Sequence, residues 1–194
     1  MKRAAFRAQI KEMIQEVAVE KLVFLDECGF ALNLHRFYGW APKSERCFER
    51  VPFNKGKNRS VLGAYGWPGP QNPTGLWALS QRLGAWNGES FEQFVQQELL
   101  PQLPKGSVLV MDNARIHHRQ TLHEIVAAAG CRILYLPPYS PDFNPIELLW
   151  SWLKDHVRLL APRTDQHRQQ AIQDAAQLIP HHAAKGWFKL CGIL

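Results

Sequence analysis

The sequence predicts a single α/β domain built on a mixed β-sheet with helices on its faces. Two short apolar runs, residues 22–26 and 107–112, each end in aspartate and have the composition of buried strands. Segments with apolar residues at helical spacing separate the strands, as in α/β proteins. A chain of 194 residues, 46% of them hydrophobic and 21% charged, suffices for one domain with a substantial core.

Periodicity and turn residues place the other elements. The apolar stripe of a first helix, over residues 5–20, consists of Phe6, Ile10, Met13, Ile14 and Val17. Pro101 and Gly130 are predicted to end two later helices, and Pro145 to occupy the first turn of another. After the first helix we expect strands at 22–26, 29–37, 60–67 and 75–81, a helix at 87–100, a strand at 107–112, a helix at 120–129, a strand at 132–136, and two last helices at 145–160 and 165–178.

Charge and hydropathy restrict the classes of function. A formal net charge of +6 favours a polyanionic partner such as nucleic acid, although many basic proteins of this size bind none. No apolar stretch approaches the roughly 20 residues that cross a bilayer, so we expect no membrane partner and a cytoplasmic location. The four cysteines lack metal-ligand spacing, and we expect reduced thiols, with Cys28, Cys131 and Cys191 buried.

Two aspartates, Asp26 and Asp112, end the two apolar runs. The carboxyl ends of strands collect functional groups in open α/β sheets, so neighbouring strands would bring the two carboxylates together. Carboxylates held close repel each other unless they are protonated or bind a cation, and Mg²⁺ and Mn²⁺ prefer such oxygen ligands. The alternative, that each aspartate only caps a turn after its strand, stays open.

Glu147 is the candidate for a third acid. The Asn144-Pro145 pair starts a helix, and Glu147 lies in its first turn, from which it could join the two aspartates in holding metal ions. A glutamate in this position also has a structural explanation, because its charge offsets the helix dipole. Taken alone, Glu147 fits that explanation better.

Three motifs together resemble the mariner-like transposase superfamily, specifically its bacterial insertion-sequence branch. They are LDECGF, VMDNARIHH and YLPPYSPDFNPIELLWSWLK. The spacing is also similar to that branch, with 34 residues between Asp112 and Glu147. The stretches GWAPKSE, KGKNRSVLGAYG and the final GWFKLCGIL extend the resemblance from Leu22 to Leu194.

The resemblance implies a ribonuclease-H-like fold with an Asp-Asp-Glu triad of Asp26, Asp112 and Glu147. These residues would be catalytic and would hold two Mg²⁺ or Mn²⁺ ions, which clamp a phosphodiester between them. The activity implied is hydrolysis at transposon ends, followed by transfer of the 3′-hydroxyl into target DNA at TA dinucleotides. The partners implied are double-stranded transposon-end and target DNA and a second copy of the chain, in a homodimer or larger assembly, near the nucleoid of a bacterial cytoplasm.

Two residues near Asp112 match the family's Asp-Asn…His pattern and are expected to support the triad. Asn113 could orient a carboxylate or bond DNA. His117 could contact the scissile phosphate or a metal-bound water, or it could be a histidine at a helix start that bonds a loop. Further on, Tyr139 and Phe143 flank the third motif and are expected to pack its turn rather than stack on a base.

A cluster of cations before the strand predicted at 60–67 is the predicted DNA-binding segment. Aromatic residues are interleaved with them, and phosphate contacts would position DNA without reading its sequence. The alternative is a solvated basic loop. The predicted contacts are Lys43, Arg46, Lys55, Lys57 and Arg59, joined by Lys154 and Arg158 on the helix of Glu147.

The chain is expected to divide at residue 20. Residues 1–20 form a helix that is a remnant of, or a linker to, a missing DNA-binding region, and residues 21–194 form the catalytic domain. Full-length relatives carry N-terminal helix-turn-helix modules, so this chain would be a product of a split reading frame, a truncated copy or an excised piece. Two other functions stay open: a different ribonuclease-H-like nuclease such as a junction resolvase, and a non-catalytic relic that binds DNA or another subunit.

Overall fold

The computed structural model describes residues 2–194, except for the side chains of Lys2, Arg3, Arg7, Lys11 and Ile14. One five-stranded sheet has the order β3-β2-β1-β4-β5, with β1, β2 and β3 antiparallel and β1, β4 and β5 parallel. The mixed sheet predicted from the sequence is therefore confirmed. Its strands are β1 (Leu22–Phe30), β2 (Arg59–Gly66), β3 (Leu76–Leu83), β4 (Val108–Met111) and β5 (Arg132–Tyr135).

Helices cover both faces of this sheet. They are α1 (Lys2–Val17), α2 (Gly88–Gln93), α3 (Gln120–Ala128), α4 (Pro145–Leu160), α5 (Asp165–Gln177) and α6 (Ala183–Leu190). Along β1, Phe24 packs into an apolar cluster with α1, α4, α5 and α6, and the adjacent Val23 and Leu25 pack into a second cluster with α2 and α3. Such alternation is expected of a strand buried on both sides.

Helix α1 packs against the core. Phe6 and Ile10 are buried, and the Phe6 ring stacks on that of Phe143 with centroids 5.4 Å apart. Met13 and Val17 are partly buried against the same cluster, while the side chain of Ile14 lies outside the described residues. The predicted apolar stripe therefore faces the core at the positions that are described.

Strand β1 corrects one sequence prediction. The strand expected at 29–37 is wrong: β1 continues through Asp26 to Phe30 because it stays paired with β2 over that length, and residues 31–37 form no strand. Its parallel pairing with β4 stops earlier, at Phe24 opposite Val110. Asp26 thus lies within a strand, but just beyond the carboxyl edge of the parallel half of the sheet.

Two helical segments also differ from prediction. The helix expected at 87–100 is α2 followed by a π-helical segment (Phe94–Leu99) and a 3-10 turn (Leu100–Gln102), so Pro101 lies inside a turn rather than after a helix. The prediction that 165–178 is the last helix is wrong, because α6 follows it. This short helix buries Ala184 and Phe188, and the Phe188 ring contacts those of Phe24 and Tyr65 on the sheet.

Among residues 2–194, no helix combines the length and apolar character needed to cross a membrane. All four cysteines are free thiols within the described residues. Cys28, Cys131 and Cys191 are buried, as predicted, and Cys47 is exposed.

Candidate active site

Three carboxylates line one open cleft. Asp26 reaches it from β1, Asp112 from the residue after β4, and Glu147 from the first turn of α4. The cleft has a volume of about 420 Å³, and the segment from Leu136 to Pro141 forms much of its wall. Parallel pairing of β1 with β4 sets the two aspartates at one sheet edge, and the packing of α4 against β1 brings in the glutamate.

Asp26 is held on both carboxylate oxygens. Oδ1 accepts a hydrogen bond from the Glu27 backbone N–H at 2.8 Å, and Oδ2 accepts one from the Trp150 indole at 3.2 Å. Burial, followed by the nearby charge of Glu147, raises the pKa of Asp26 to about 7. Near neutral pH, Asp26 therefore binds a proton readily when no cation replaces it.

Asp112 is more exposed and is fixed from behind by His117. Its Oδ1 accepts a hydrogen bond from the Ala114 backbone N–H at 2.9 Å and lies 2.8 Å from His117 Nδ1. The hydrogen bond to His117 holds the pKa of Asp112 below its usual range. Asp112 is thus the acid of the three that most readily stays ionised.

His117 is fully buried behind Asp112 and against the ring of Phe91. Its Nε2 lies 3.4 Å from Glu27 Oε1, on the side opposite Asp112. Burial by itself would lower the pKa of His117, but the two carboxylates outweigh burial and raise it to about 10. The structure therefore places an imidazolium between Glu27 and Asp112, behind the residues that line the cleft.

Glu147 lies at the mouth of the cleft, in the first turn of α4. Burial raises its pKa, Lys154 opposes that shift, and Asp112 adds to it. Neighbouring Asn144 lines the same cleft, and its buried Oδ1 has no hydrogen-bond partner among the described residues. The N-terminal end of α4 thus presents two oxygen-bearing side chains to the cleft.

The donor set fits hard divalent cations. Three carboxylates line one cleft, and burial, together with neighbouring acids, raises the pKa values of Asp26 and Glu147, so a cation there would favour their ionised forms. Within residues 2–194, no three His, Cys, Asp or Glu side chains lie close enough together to hold one metal ion. The acids therefore line an open cleft, in which a phosphodiester could supply further oxygen ligands.

Asn113 braces the wall of the cleft. Its side-chain amide donates a hydrogen bond to the Leu136 carbonyl, which joins the loop after β4 to the chain leaving β5. The same wall carries Tyr139, which is 98% exposed with a φ of 54°, whereas Phe143 is buried. The prediction that both aromatic residues pack the turn is therefore confirmed for Phe143 and wrong for Tyr139.

The predicted DNA-contacting cations fall into two groups: exposed side chains, and side chains already paired with acids of this chain. Lys43, Arg46, Lys55 and Lys57 are all exposed in the segment between β1 and β2. The prediction that Arg59 contacts DNA is wrong. Arg59 is 6% exposed and donates two hydrogen bonds to Asp165, because it begins β2 opposite the first turn of α5. We therefore remove Arg59 from the candidate DNA contacts.

The two cations of α4 also differ. Lys154 lies beside Glu147 and the Cys28 thiol. Arg158 donates to Asp155 at 2.6 Å and lies over the ring of Phe37. Lys154 is thus the α4 cation closer to the acids, and Arg158 helps to anchor the segment that follows β1.

Glu27 and Trp150 are site residues that the sequence reasoning missed. Strand alternation offers a signal for Glu27, since it must face away from Asp26 and towards the α2 side of the sheet, where His117 lies. Helical spacing offers one for Trp150, which lies one turn after Glu147. Neither signal predicts the contact partner, which is His117 for Glu27 and Asp26 for Trp150.

A sheet of this order with three acids at one edge defines a class of proteins: ribonuclease-H-like enzymes that use an Asp-Asp-Glu triad on DNA. The family described as "DDE superfamily endonuclease" matches residues 21–169, and the chain belongs to it. The Tcb2 transposase of Caenorhabditis briggsae is 32% identical over 76 residues, which cover 39% of this chain and 28% of that protein. The sequence-based resemblance to mariner-like transposases is therefore confirmed at the level of the family.

Solved structures agree in fold. The crystal structure of the mariner Mos1 paired end complex with Mg superimposes with a TM-score of 0.71 at 14% identity, covering 98% of this chain and 59% of that one. The structure of the Mos1 transposase catalytic domain and Raltegravir with Mg gives 0.52 at 13% identity, covering 98% and 94%. The ribonuclease-H-like fold is confirmed, and the chain spans about three fifths of the larger Mos1 chain.

Proposed function

We propose that this chain is the catalytic domain of a DNA transposase from the bacterial insertion-sequence branch of the mariner-like superfamily. It would hydrolyse phosphodiester bonds at transposon ends and join the freed 3′-hydroxyl to target DNA at TA. The observation that carries the proposal is the convergence of Asp26, Asp112 and Glu147 in one open cleft. Each residue matches one acid of the family's triad, and residues 21–194 would form the catalytic unit.

The acids of the cleft would hold two Mg²⁺ or Mn²⁺ ions. When bound, such a pair of ions stabilises the attacking and leaving oxygens of a phosphodiester. Asp112, kept ionised by His117, would be a constant ligand, and Asp26 would exchange its proton for a cation. Crystal structures of Mos1 paired end complexes with Mg and with Mn support this choice of metals.

DNA would approach the cleft along the segment between β1 and β2. We call residues 31–58 the basic loop. It contains six of the chain's Lys and Arg residues and two of its acids, and its cations Lys43, Arg46, Lys55 and Lys57 are exposed. The Mos1 transposase paired-end complex with left transposon end supports transposon-end DNA as the partner and assembly of more than one copy on that DNA.

The decisive experiment is strand transfer of a pre-cut transposon end into plasmid. We expect joined products with Mg²⁺ or Mn²⁺, and none in EDTA. Metal-dependent nicking without joining would instead indicate a nuclease such as a junction resolvase. Equal product in EDTA would exclude metal-dependent chemistry by the triad.

Neutralising Lys55 and Lys57 together by substitution with glutamine should weaken DNA binding uniformly across sequences. Each phosphate contact contributes about 0.9 to the slope of log affinity against log salt, so the slope should become shallower by about 1.8. Fluorescence anisotropy at several salt concentrations measures it. The matched control neutralises Lys185 and Lys189, which are exposed on α6, and should leave the slope unchanged. Equal slopes in wild type and the loop variant would remove these lysines from the interface.

Stabilisation by metal should increase with pH. The pKa of Asp26 lies at about 7 in the folded state, above its ordinary value of 3.8. The metal-free folded protein therefore binds this proton more tightly than the unfolded chain does. That contribution to stability is complete below about pH 4 and is lost as the pH rises to about 7. A cation competes with the proton, so the Mg²⁺-induced rise in Tm should be small at pH 5.5 and larger at pH 8. Thermal unfolding with and without Mg²⁺ measures it. In Asp26→Asn the pH trend should largely disappear; a wild-type Tm shift independent of pH would contradict the prediction.

A further inference from the structure

Helix α4 contributes more to the cleft than Glu147. One turn further along, Trp150 is 2% exposed, and its indole Nε1–H donates a hydrogen bond of 3.2 Å to Oδ2 of Asp26. The same helix therefore supplies one acid of the triad and a donor to another. Any shift of α4 along the sheet would therefore move the Glu147 carboxylate and the indole donor to Asp26 together.

The indole completes a two-point hold on the Asp26 carboxylate. The Glu27 backbone N–H donates to Oδ1 at 2.8 Å and the indole donates to Oδ2, so each carboxylate oxygen accepts one hydrogen bond. An ionised carboxylate has about four lone-pair sites, so each oxygen keeps one free for a cation. The two donors fix the direction in which those free sites point.

The sheet makes room for the Trp150 ring at Gly63. Gly63 on β2 pairs with Asp26 on β1, and a Cβ atom at Gly63 would lie 2.6 Å from Cη2 of Trp150. That distance is closer than carbon atoms pack, and the indole is wedged in the core and cannot swing away. A residue without a side chain opposite Asp26 thus seats the ring that bonds Asp26.

A purely packing role would not explain the direction of the indole N–H. Trp152, two residues on, is half-buried and stacks on His156 with centroids 3.7 Å apart. By contrast, the polar atom of Trp150 is buried and meets a charged acceptor, the strong kind of hydrogen bond. A phenylalanine would fill most of the same space without that bond.

We propose that Trp150 is a positioning residue: seated by Gly63, its indole orients the Asp26 carboxylate for cation binding in register with Glu147. The proposal rests on the metal-dependent function proposed above. Groups that orient metal ligands typically affect metal affinity by about 10–100-fold when they are removed. We therefore expect Mn²⁺ affinity, rather than folding, to respond most to loss of the indole N–H.

The test measures Mn²⁺ binding by electron paramagnetic resonance, together with Tm. Trp150→Phe should weaken Mn²⁺ binding about 10-fold or more, and the matched control Trp152→Phe should not. Gly63→Ala keeps the N–H but displaces the ring, so it should weaken binding as well. Combined with Trp150→Phe, whose smaller ring relieves the clash, its effect should be less than additive. Wild-type Mn²⁺ affinity in folded Trp150→Phe would overturn the proposal.

A second measurement separates this proposal from the function on which it rests. In ¹⁵N-labelled protein without metal, Asp26→Ala should shift the Trp150 indole ¹H–¹⁵N resonance and leave that of Trp152 in place. An unmoved Trp150 resonance would overturn the contact itself. If the resonance moves but wild type binds no Mn²⁺, the metal-dependent function fails and the positioning role for cation binding fails with it.

Discussion

Asp112→Asn is expected to abolish DNA cleavage and strand transfer while the protein stays folded. The substitution removes the charge of the most readily ionised acid in the cleft and replaces one of its two oxygens with an NH₂ group that cannot bind a cation, with little change in side-chain volume. Loss of several kcal/mol of transition-state stabilisation corresponds to a decrease of about a thousandfold or more in rate. Single-turnover nicking of a labelled transposon end in Mg²⁺ measures the effect, and circular dichroism checks the fold.

The matched control is Asp174→Asn, which changes an exposed aspartate on α5, remote from the cleft lining. Its cleavage rate should equal that of wild type. If Asp112→Asn cuts at the native rate, the assignment of the triad is wrong. If neither wild type nor variant cuts, and both bind DNA, the chain is the non-catalytic DNA-binding relic.

Arg168→Met should produce the largest loss of stability. Arg168 on α5 is 1% exposed and donates to the carbonyls of Phe30 at 2.8 Å and Lys57 at 2.9 Å, and to Asp165 at 2.5 Å. Methionine keeps much of the volume but leaves the two carbonyls without this donor, while Asp165 keeps its hydrogen bonds from Arg59. We expect the free energy of unfolding to fall by about 3 kcal/mol, as when one partner of a buried ion pair is removed. Urea denaturation measures it.

Phe30 lies just before the basic loop and Lys57 lies near its end, so the same substitution should also loosen the attachment of that loop. Amide hydrogen exchange near residues 31–57 should become faster relative to the sheet. The control is Arg163→Met, whose partly exposed pair with Glu49 at 3.0 Å should contribute at most about 1 kcal/mol. Equal unfolding midpoints for the two variants would contradict the structural role of Arg168.

Much of the fold followed from local sequence. Apolar runs predicted β1 and β4, and the Asn144-Pro145 pair predicted the start of α4. The second strand at 29–37 was wrong because the length of β1 depends on its pairing with β2, a neighbour that β1 alone does not specify. Helix α6 was missed because it has only 8 residues, and its buried face is defined by the contact of Phe188 with the sheet rather than by a long apolar repeat.

The proposed triad could be predicted from the sequence, but the residues that hold its side chains in place could not. Asp26, Asp112 and Glu147 each belong to a contiguous motif, so they could be predicted to act together before the structure placed them in one cleft. His117 matched the family pattern, yet its place between Asp112 and Glu27 depends on a contact across 90 residues. The indole of Trp150 reaches Asp26 across 124 residues.

The basic loop shows the same division. Composition indicated a cationic segment before the cleft, and most of its predicted contacts are exposed. Arg59 belongs by sequence to that cluster, but in the fold it starts β2 and pairs with Asp165, 106 residues away. A cationic side chain in a basic segment can contact DNA or form a buried ion pair, and only its neighbours in the folded structure distinguish these two roles.

The sequence by itself determined the family, the three acids and the elements that carry them, because each depends on residues close together in the chain. Only the tertiary structure decided which acid is kept charged, which one binds a proton near neutral pH, and which side chains hold them in place. Those properties depend on burial and on charges and donors within a few ångströms, and both are set by which strands and helices become neighbours.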